Sequence, residues 1–319
     1  MLVTGGAGFM GSNFIQYLLQ QTDFQGEIIN LDLLTYAGNL DNLQEVDKDP
    51  RYFFIKGDIC DRMLLEKIYK EKQFDIIVHF AAETHVDRSI DCPKTFIETN
   101  VFGTYSLLEL LRAHPSIHMH LISTDEVYGD LPHVGFFTEE SNYAPSSPYA
   151  ASKAAADHLT LSYARTYGSS VTISHASNNY GPNQNSEKLI PKMIERSLSG
   201  DTLTIYGTGE HIRDWLYVED HSRAIYHILE KGGKGQVYNV GGAYELTNLE
   251  VVDHIIDKVS EIKQLDAEQL HSRVIQVADR PGHDFRYAMD ISKIKEEIGW
   301  MPKVSFDEGL IKTINTIIN

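Results

Sequence analysis

Leu2-Val-Thr-Gly-Gly-Ala-Gly-Phe-Met-Gly-Ser12 decides the fold of this chain. An apolar pair enters a glycine-rich turn, and Phe9 to Leu19 then carries apolar residues at helical spacing. The glycines read as G-x-x-G-x-x-G (Gly5, Gly8, Gly11) or as G-x-G-x-x-G (Gly6, Gly8, Gly11). In either register the missing side chains let amides at a helix N-terminus approach a pyrophosphate. Glu27 to Leu31 is the next apolar strand, and Asp32 ends it, 21 residues after Gly11. An acid there accepts hydrogen bonds from an adenosine ribose and repels a 2′-phosphate. No Arg or Lys lies between Asp32 and Lys48, which favours NAD over NADP.

Outward from this turn the alternation continues. Tyr52 to Ile55 and Asp75 to Phe80 read as strands, with a helix from Arg62 to Lys72 between them. Thr95 to Arg112 reads as one long helix, His120 to Ser123 as a strand, Tyr149 to Tyr167 as a helix and Val171 to His175 as a strand. This order implies an α/β fold, a Rossmann-type doubly wound parallel sheet with helices on both faces. After Asn178 the elements shorten. Residues 178–185 read as a loop and Ile190 to Leu198 as a helix. Strands at Leu203 to Tyr206, Val237 to Val240 and Val274 to Val277 alternate with helices near Val218 to Glu230, Leu249 to Val259 and Phe306 to Ile318. The expected division is a dinucleotide-binding domain over residues 1–177 and a smaller C-terminal α/β substrate lobe over 178–319, with the chain free to cross between them more than once. Leu2 to Thr4 is short for a central strand, which points to residues missing ahead of Met1.

Composition narrows the classes. At 319 residues, with 42% hydrophobic and 23% charged residues, the chain can bury a large globular core. No run approaches 18 apolar residues and no leader precedes the first strand, so no membrane partner and a cytoplasmic location are expected. Cys60 and Cys92 lack metal-ligand spacing. A formal charge of −17 argues against nucleic-acid binding, and any phosphate site must be built from a few local cations. His114, His118 and His120 are read as a surface loop entering a strand, not as metal ligands, and no metal is expected.

Two segments carry the chemistry. Thr124-Asp-Glu-Val-Tyr-Gly129 is followed by Tyr149-Ala-Ala-Ser-Lys153, whose spacing puts a phenol and an ammonium one helical turn apart on one face. Lys153 and a positive nicotinamide ring are expected to stabilise a Tyr149 phenolate; a drop of ~3 pKa units corresponds to roughly 4 kcal/mol. Tyr149 would then remove a hydroxyl proton as hydride leaves for NAD. The adjacent carboxyls exceed what an alcohol oxidation needs. Asp125 as an acid requires a raised pKa, which burial and the Glu126 charge would supply; Glu126 should stay ionised as a second base, and Thr124 can hydrogen-bond the oxygen being oxidised. Together they suggest oxidation coupled to elimination. Adjacent strand residues face opposite ways, so the chain must leave extended geometry for all three to converge. The cofactor site expected from these segments takes in Gly5, Gly8, Phe9, Met10 and Gly11, then Asp32, Leu33, Leu34 and Thr35. Asp58 and Ile59 would meet the adenine, Ala81 and Ala82 are small enough for close passage, and Tyr149 and Lys153 close the far end.

The chain resembles the extended short-chain dehydrogenase/reductases and, more closely, the dTDP-glucose 4,6-dehydratases. The likeness is carried by Val3-Thr-Gly-Gly-Ala-Gly-Phe9, Leu34-Thr-Tyr-Ala-Gly-Asn39, His85-Val-Asp-Arg-Ser89, Ser123-Thr-Asp-Glu-Val-Tyr-Gly-Asp130, Tyr149-Ala-Ala-Ser-Lys153, Ser177-Asn-Asn-Tyr-Gly-Pro182, Arg213-Asp-Trp-Leu-Tyr-Val-Glu-Asp220 and Arg280-Pro-Gly-His283. It implies oxidation of a dTDP-sugar at carbon 4, loss of water across carbons 5 and 6, and hydride return to carbon 6. It places Thr84, Thr124, Asn178, Lys188, Leu189, Thr204, Tyr206, Arg213, Asn248, Arg280 and His283 around the nucleotide sugar, with Arg213 and Arg280 as diphosphate clamps. Thr99 and Asn179 would adjoin the cofactor. It also implies a homodimer through Thr95 to Arg112 and Tyr149 to Tyr167. Met10, Thr84 and Thr204 stand where Ile, Ser and Pro are usual. An epimerase or decarboxylase on the same scaffold would leave Asp125 unexplained, and thymidine versus uridine stays open, since one methyl is worth only ~1 kcal/mol or so.

Overall fold

The computed structural model describes residues 1–318. Its strands are β1 (Leu2–Thr4), β2 (Ile28–Asp32), β3 (Tyr52–Lys56), β4 (Ile76–His79), β5 (His118–Thr124), β6 (Ser170–Ala176), β7 (Asn178–Tyr180), β8 (Leu203–Tyr206), β9 (Ile212–Tyr217), β10 (Gln236–Val240), β11 (Glu245–Thr247) and β12 (Val274–Val277). Its α-helices are α1 (Phe9–Gln21), α2 (Arg62–Lys72), α3 (Val86–Asp91), α4 (Pro93–Phe96), α5 (Thr104–Ala113), α6 (Pro148–Tyr167), α7 (Leu189–Ser199), α8 (Val218–Lys231), α9 (Asn248–Lys263), α10 (Ala267–His271), α11 (Ser292–Ile298) and α12 (Phe306–Ile318).

Seven strands form one parallel sheet in the order β3-β2-β1-β4-β5-β6-β10. The order reverses direction between β1 and β4, which opens a crevice at the carboxyl ends of those strands, the usual ligand site of doubly wound folds. One face packs Val3, Ile28 and Val78 against Phe14, Ile15 and Leu18 of α1 and Ile225 of α8. The other packs Leu2, Ile29, Leu31 and Ile77 against Leu65 of α2 and Leu107, Leu108 and Leu111 of α5. Val237 to Val240, expected in the smaller lobe, belongs instead to this large sheet as its edge strand β10. The chain thus crosses back over residues 218–240. The smaller layer has its own core of Ile190, Ile194, Leu203, Ile205, Val251, Ile255, Phe306 and Leu310. Its β11-β9-β7 and β12-β8 sheets are short, and three of these strands (β7, β9, β11) fell where no strand was expected.

The histidine reading is corrected. His118 lies within β5 and not in a surface loop, and His120, expected at the start of the strand, is fully buried in it. His118 bonds Ser170 Oγ (2.9 Å) and Thr172 Oγ1 (3.0 Å); His120 bonds Thr172 Oγ1 (2.8 Å) and Ser174 Oγ (3.0 Å) across the ladder to β6. This pairing is why two polar-looking strands can sit in a core. The long helix expected from Thr95 to Arg112 is continuous but not regular. α4 passes into a wide π turn, Ile97–Gly103, before α5 begins. Such an extra residue in a helix shifts the phase of what precedes it. Here Thr99 lines the crevice, while Asn100 bonds both the N–H (2.8 Å) and C=O (3.0 Å) of Glu83 beyond β4.

Candidate active site

The crevice is a cleft of ≈ 290 Å³ running from the glycine turn past the end of β4 to the ends of β5 and β6. Gly5 sits at φ +71, and a Cβ there would fall 2.6 Å from Ala81 N; at Gly11 it would fall 2.4 Å from Gly5 O. Both are demanded by the protein's own packing. Gly8 is different: a Cβ there would meet only Gly5 O, at 3.3 Å, yet the residue faces the cleft. The space above it is therefore kept clear for a ligand. α1 begins immediately afterwards with no side-chain cap, so its first amides are available to an anion. Asp32 Oδ2 accepts from Ala7 N (2.9 Å) and Oδ1 from Leu34 N (2.8 Å), which fixes the carboxylate at the cleft wall.

Of the expected cofactor residues, Gly5, Gly8, Phe9, Met10, Gly11, Asp32, Leu33, Thr35, Asp58, Ile59, Ala81, Ala82, Thr99, Tyr149, Lys153 and Asn179 line this cleft. Leu34 does not; it sits at φ 55 and contributes its backbone N–H to Asp32. The expected Thr84, Thr124, Asn178 and Lys188 line the same cleft. The structure thus brings residues expected at the nucleotide and at the reacting sugar onto one surface.

The strand-face problem at Thr124 to Glu126 is resolved by the backbone. Thr124 is the last extended residue (φ −139, ψ 151), and a 3₁₀ turn, Asp125–Tyr128, follows at once. That turn brings Asp125 to the same wall as Thr124, whose Oγ1 donates to Asp125 Oδ1 (3.1 Å) and accepts from Glu126 N (3.3 Å). Asp125 is buried and its Oδ2 has no partner among the described residues. Burial, reinforced by the charges of Glu126 and Asp214, holds its carboxyl well above the ordinary range. Glu126 keeps part of its surface open to the cleft. Burial raises it too, but Arg280, Lys188 and Arg213 all pull it back toward the carboxylate. The pair is thus split in the sense that an acid beside a base requires.

α6 supplies the other two groups. Ser147 caps it, accepting from Ala150 N, and Pro148 occupies its first turn. Tyr149 and Lys153 are both buried at the cleft. The expected lowering of the Tyr149 phenol rests on Lys153 together with a positive nicotinamide ring; the protein's own groups push it upward. Burial and the Glu126 charge raise it, with a Thr124 hydrogen bond opposing. Lys153 Nζ donates to Ile122 O at 2.7 Å, and its charge is not a leading influence on the phenol, for which burial is the largest cause. Burial brings Lys153 itself down to about 8.

The remaining expected substrate residues lie on the smaller layer and outside the cleft wall. Tyr206 OH donates to Asp87 Oδ2 (3.3 Å), and Arg280 Nη1 lies 3.6 Å from Asp87 Oδ1. His283 stacks on His211 with ring centroids 3.7 Å apart, and Asn248 N donates to His211 O (3.0 Å). Tyr206 and Arg280 thus meet at Asp87, while His283 and Asn248 meet at His211. Leu189 packs on the small-layer core, and Thr204 Oγ1 accepts from Arg196 Nη1 (3.3 Å). Arg213 is buried with its terminal nitrogens on the carbonyls of Ile212, Phe285 and Asp284, and it stacks 4.4 Å above Tyr287. Arg280 Nε, by contrast, is buried without a partner, as are Asn178 Oδ1 and Gln184 Oε1, among the described residues. Asn178 and Gln184 line the cleft, and unmet polar atoms there mark where a polar ligand belongs. His211, Asp279 and His283 also come within ligand spacing of one another, but parallel stacked rings aim their in-plane lone pairs past a common point.

Sequence reading missed Glu83, Asn183, Gln184, Asn185 and Glu187, all of which line the cleft. Glu187 faces His85 (3.6 Å) and Arg88 (3.4 Å), and Arg88 lies 3.7 Å over the Tyr36 ring. The segment His85 to Ser89, quoted above without a role, was the available signal.

Comparison with known proteins fits this geometry. The sequence profile of the GDP-mannose 4,6 dehydratase family matches residues 2–313. A dTDP-glucose 4,6-dehydratase from Neisseria gonorrhoeae is 49% identical over 327 residues, spanning 98% of this chain and 94% of the relative. One from Escherichia coli is 47% identical over 340 residues, spanning 100% and 93%. This chain belongs to the dTDP-glucose 4,6-dehydratase family. A solved member of that family, from Streptomyces venezuelae with NAD and TYD bound, superposes with a TM-score of 0.93 at 47% identity, over 98% of this chain and 95% of that one. A UDP-glucose 4-epimerase from Thermotoga maritima shares the fold (TM-score 0.88, 99% and 98% covered) at only 30% identity. Asp125 and Glu126, the adjacent carboxyls that follow β5, are what the family reading accounts for and an epimerase would not need.

Proposed function

We propose that this chain is a hydro-lyase that converts dTDP-glucose to dTDP-4-keto-6-deoxyglucose, with NAD regenerated in each cycle. The observation that carries the reading is one cleft wall holding a raised carboxyl (Asp125), a carboxylate flanked by three cations (Glu126) and the Tyr149–Lys153 pair. The relatives named above and their NAD-bound structures support it.

The residues present fit the dinucleotide. The α1 amides above Gly8 would hold the pyrophosphate, Asp32 the ribose, Asp58 and Ile59 the adenine, and Tyr149 and Lys153 the nicotinamide end. Bound NAD supplies the acceptor for the carbon-4 hydride and the donor that returns it to carbon 6. Tyr149 takes the proton of the carbon-4 hydroxyl, and Thr124 hydrogen-bonds that oxygen. The new ketone acidifies carbon 5. Glu126, whose carboxyl burial raises and Arg280, Lys188 and Arg213 draw back toward the carboxylate, removes the carbon-5 proton, and Asp125 gives its proton to the departing carbon-6 hydroxyl, so that water leaves. Arg280, whose Nε lacks a partner among the described residues, is the stronger diphosphate ligand; Arg213, spent on three carbonyls, acts chiefly through its charge on Glu126. Residues 1–177 supply most of the dinucleotide site and 178–319 most of the sugar pocket.

We infer a homodimer as well, since Ile97, Phe102 and Tyr167 are 49%, 56% and 50% exposed on the helices named for that role. Two free cysteines suit a cytoplasmic place in deoxysugar biosynthesis, the dTDP-rhamnose route included. The direct test is incubation with dTDP-glucose and with UDP-glucose, followed by alkali. Ultraviolet absorbance of a 4-keto-6-deoxy product from dTDP-glucose supports the reading; silence with both substrates rejects it.

A further inference from the structure

Asp157 lies on α6, fully buried, and belongs to no role described so far. Tyr149, Lys153 and Asp157 recur every four residues and so form one stripe along the helix. The stripe faces β5 just ahead of the reacting turn. Lys153 Nζ donates to Ile122 O (2.7 Å), and Ser123 Oγ donates to Asp157 Oδ2 (2.8 Å). Two successive residues of β5 therefore grip two successive turns of α6, and the next three residues are Thr124, Asp125 and Glu126. The same carboxylate oxygen meets His175 Nε2 of β6 (3.1 Å) and accepts from Tyr143 OH (3.3 Å), while Oδ1 has no partner among the described residues. A carboxylate so deeply buried is costly unless its charge is used.

We propose that Asp157 is a positioning residue for the reaction: its bonds to Ser123, Tyr143 and His175 fix α6 against the end of β5 and so set Tyr149 and Lys153 against the reacting turn. The proposal rests on the role given to Lys153 above. In support, the Asp157 charge raises the Lys153 ammonium against its burial. The other titratable groups facing the pair are His79 of β4, His175 of β6, and Tyr128 and Tyr143, with Tyr149 on the same helix, where Asp125 and Glu126 of the turn act on the phenol.

Asp157→Asn keeps the shape and removes the charge. Assayed with dTDP-glucose, it should lower kcat tenfold or more while KM changes less than about threefold and bound NAD stays at the wild-type level. The alkaline limb of kcat should move to lower pH by about one unit, because Lys153 loses its proton sooner. Asp157→Glu should restore the limb, which a merely packing role would not do. Wild-type kcat and an unmoved limb in Asp157→Asn overturn the proposal. Should that variant not fold, Ser123→Ala and Tyr143→Phe each strip one donor from a carboxylate that remains; wild-type kcat in both overturns it equally. Lys153→Met separates the two levels: if it stays active the Lys153 reading fails, and if it is dead while Asp157→Asn is normal only the Asp157 proposal fails.

Discussion

Replacing Asp125 by Asn tests the acid assignment through stability as well as rate. The carboxyl is buried, its Oδ2 has no partner among the described residues, and its proton is held well above the usual range by burial and the Glu126 charge. The folded protein therefore binds a proton that the unfolded chain releases near the ordinary carboxylate value. Between those two pKa values, stability falls as pH rises, by about 1.4 kcal/mol per pH unit at this single group. Asp125→Asn has the same shape and no proton to lose. Urea unfolding of both proteins across pH 4.5 to 7.5 should give curves that diverge, the variant gaining on the wild type with each pH unit. Turnover should meanwhile fall by roughly 10²–10³, the range for loss of a general acid, or about 3–4 kcal/mol in the barrier. Oxidation at carbon 4 should survive, because Tyr149 is untouched. Parallel stability curves would refute the argument, for they would mean that Asp125 is ionised in the folded protein and cannot be the donor.

Three further outcomes follow from the same geometry. Glu126→Gln should lose ~10²–10⁴ in kcat with KM little changed, and a single turnover should leave reduced nicotinamide absorbing at 340 nm, since oxidation proceeds and elimination does not. Tyr149→Phe should retain at most a few per cent of turnover and show no such absorbance. Gly8→Ala should fold with a melting temperature within about 3 °C of wild type, because its Cβ meets only Gly5 O, at 3.3 Å, yet purify with at least tenfold less NAD; Gly11→Ala, whose Cβ would lie 2.4 Å from Gly5 O, should lose stability outright. Equal NAD content in Gly8→Ala would remove the pyrophosphate from that turn.

Sheet and cleft were legible where local rules dominate. The α2 span, the run of α6 from Tyr149 to Tyr167 and the Gly5 to Gly11 turn follow from periodicity, caps and missing side chains. What escaped was decided by tertiary partners. β9 carries Arg213 and Asp214 inside a buried strand because the carbonyls of Ile212, Phe285 and Asp284 and the amides of Gly242 and Tyr244 satisfy them, and no window of sequence contains that set. Asn178 to Tyr180 looks like a loop until β9 is there to pair with it. Glu187 and Gln184 reach the cleft from a polar segment with no period at all. The conflict at Thr124 to Glu126 was visible in the sequence, but its solution, a 3₁₀ turn starting at Asp125, was not.

The imidazole and hydroxyl rows shared by β5 and β6 act as a key during folding. A slip of one residue would turn His118 and His120 toward the hydrocarbon side and strand Ser170, Thr172 and Ser174 without mates. Each such orphan costs about 1–3 kcal/mol, so misthreaded pairings are rejected by more than an all-aliphatic pair could offer. An insertion or deletion in either strand should accordingly trap the chain in non-native compact forms, even though the altered residues lie far from any bound sugar.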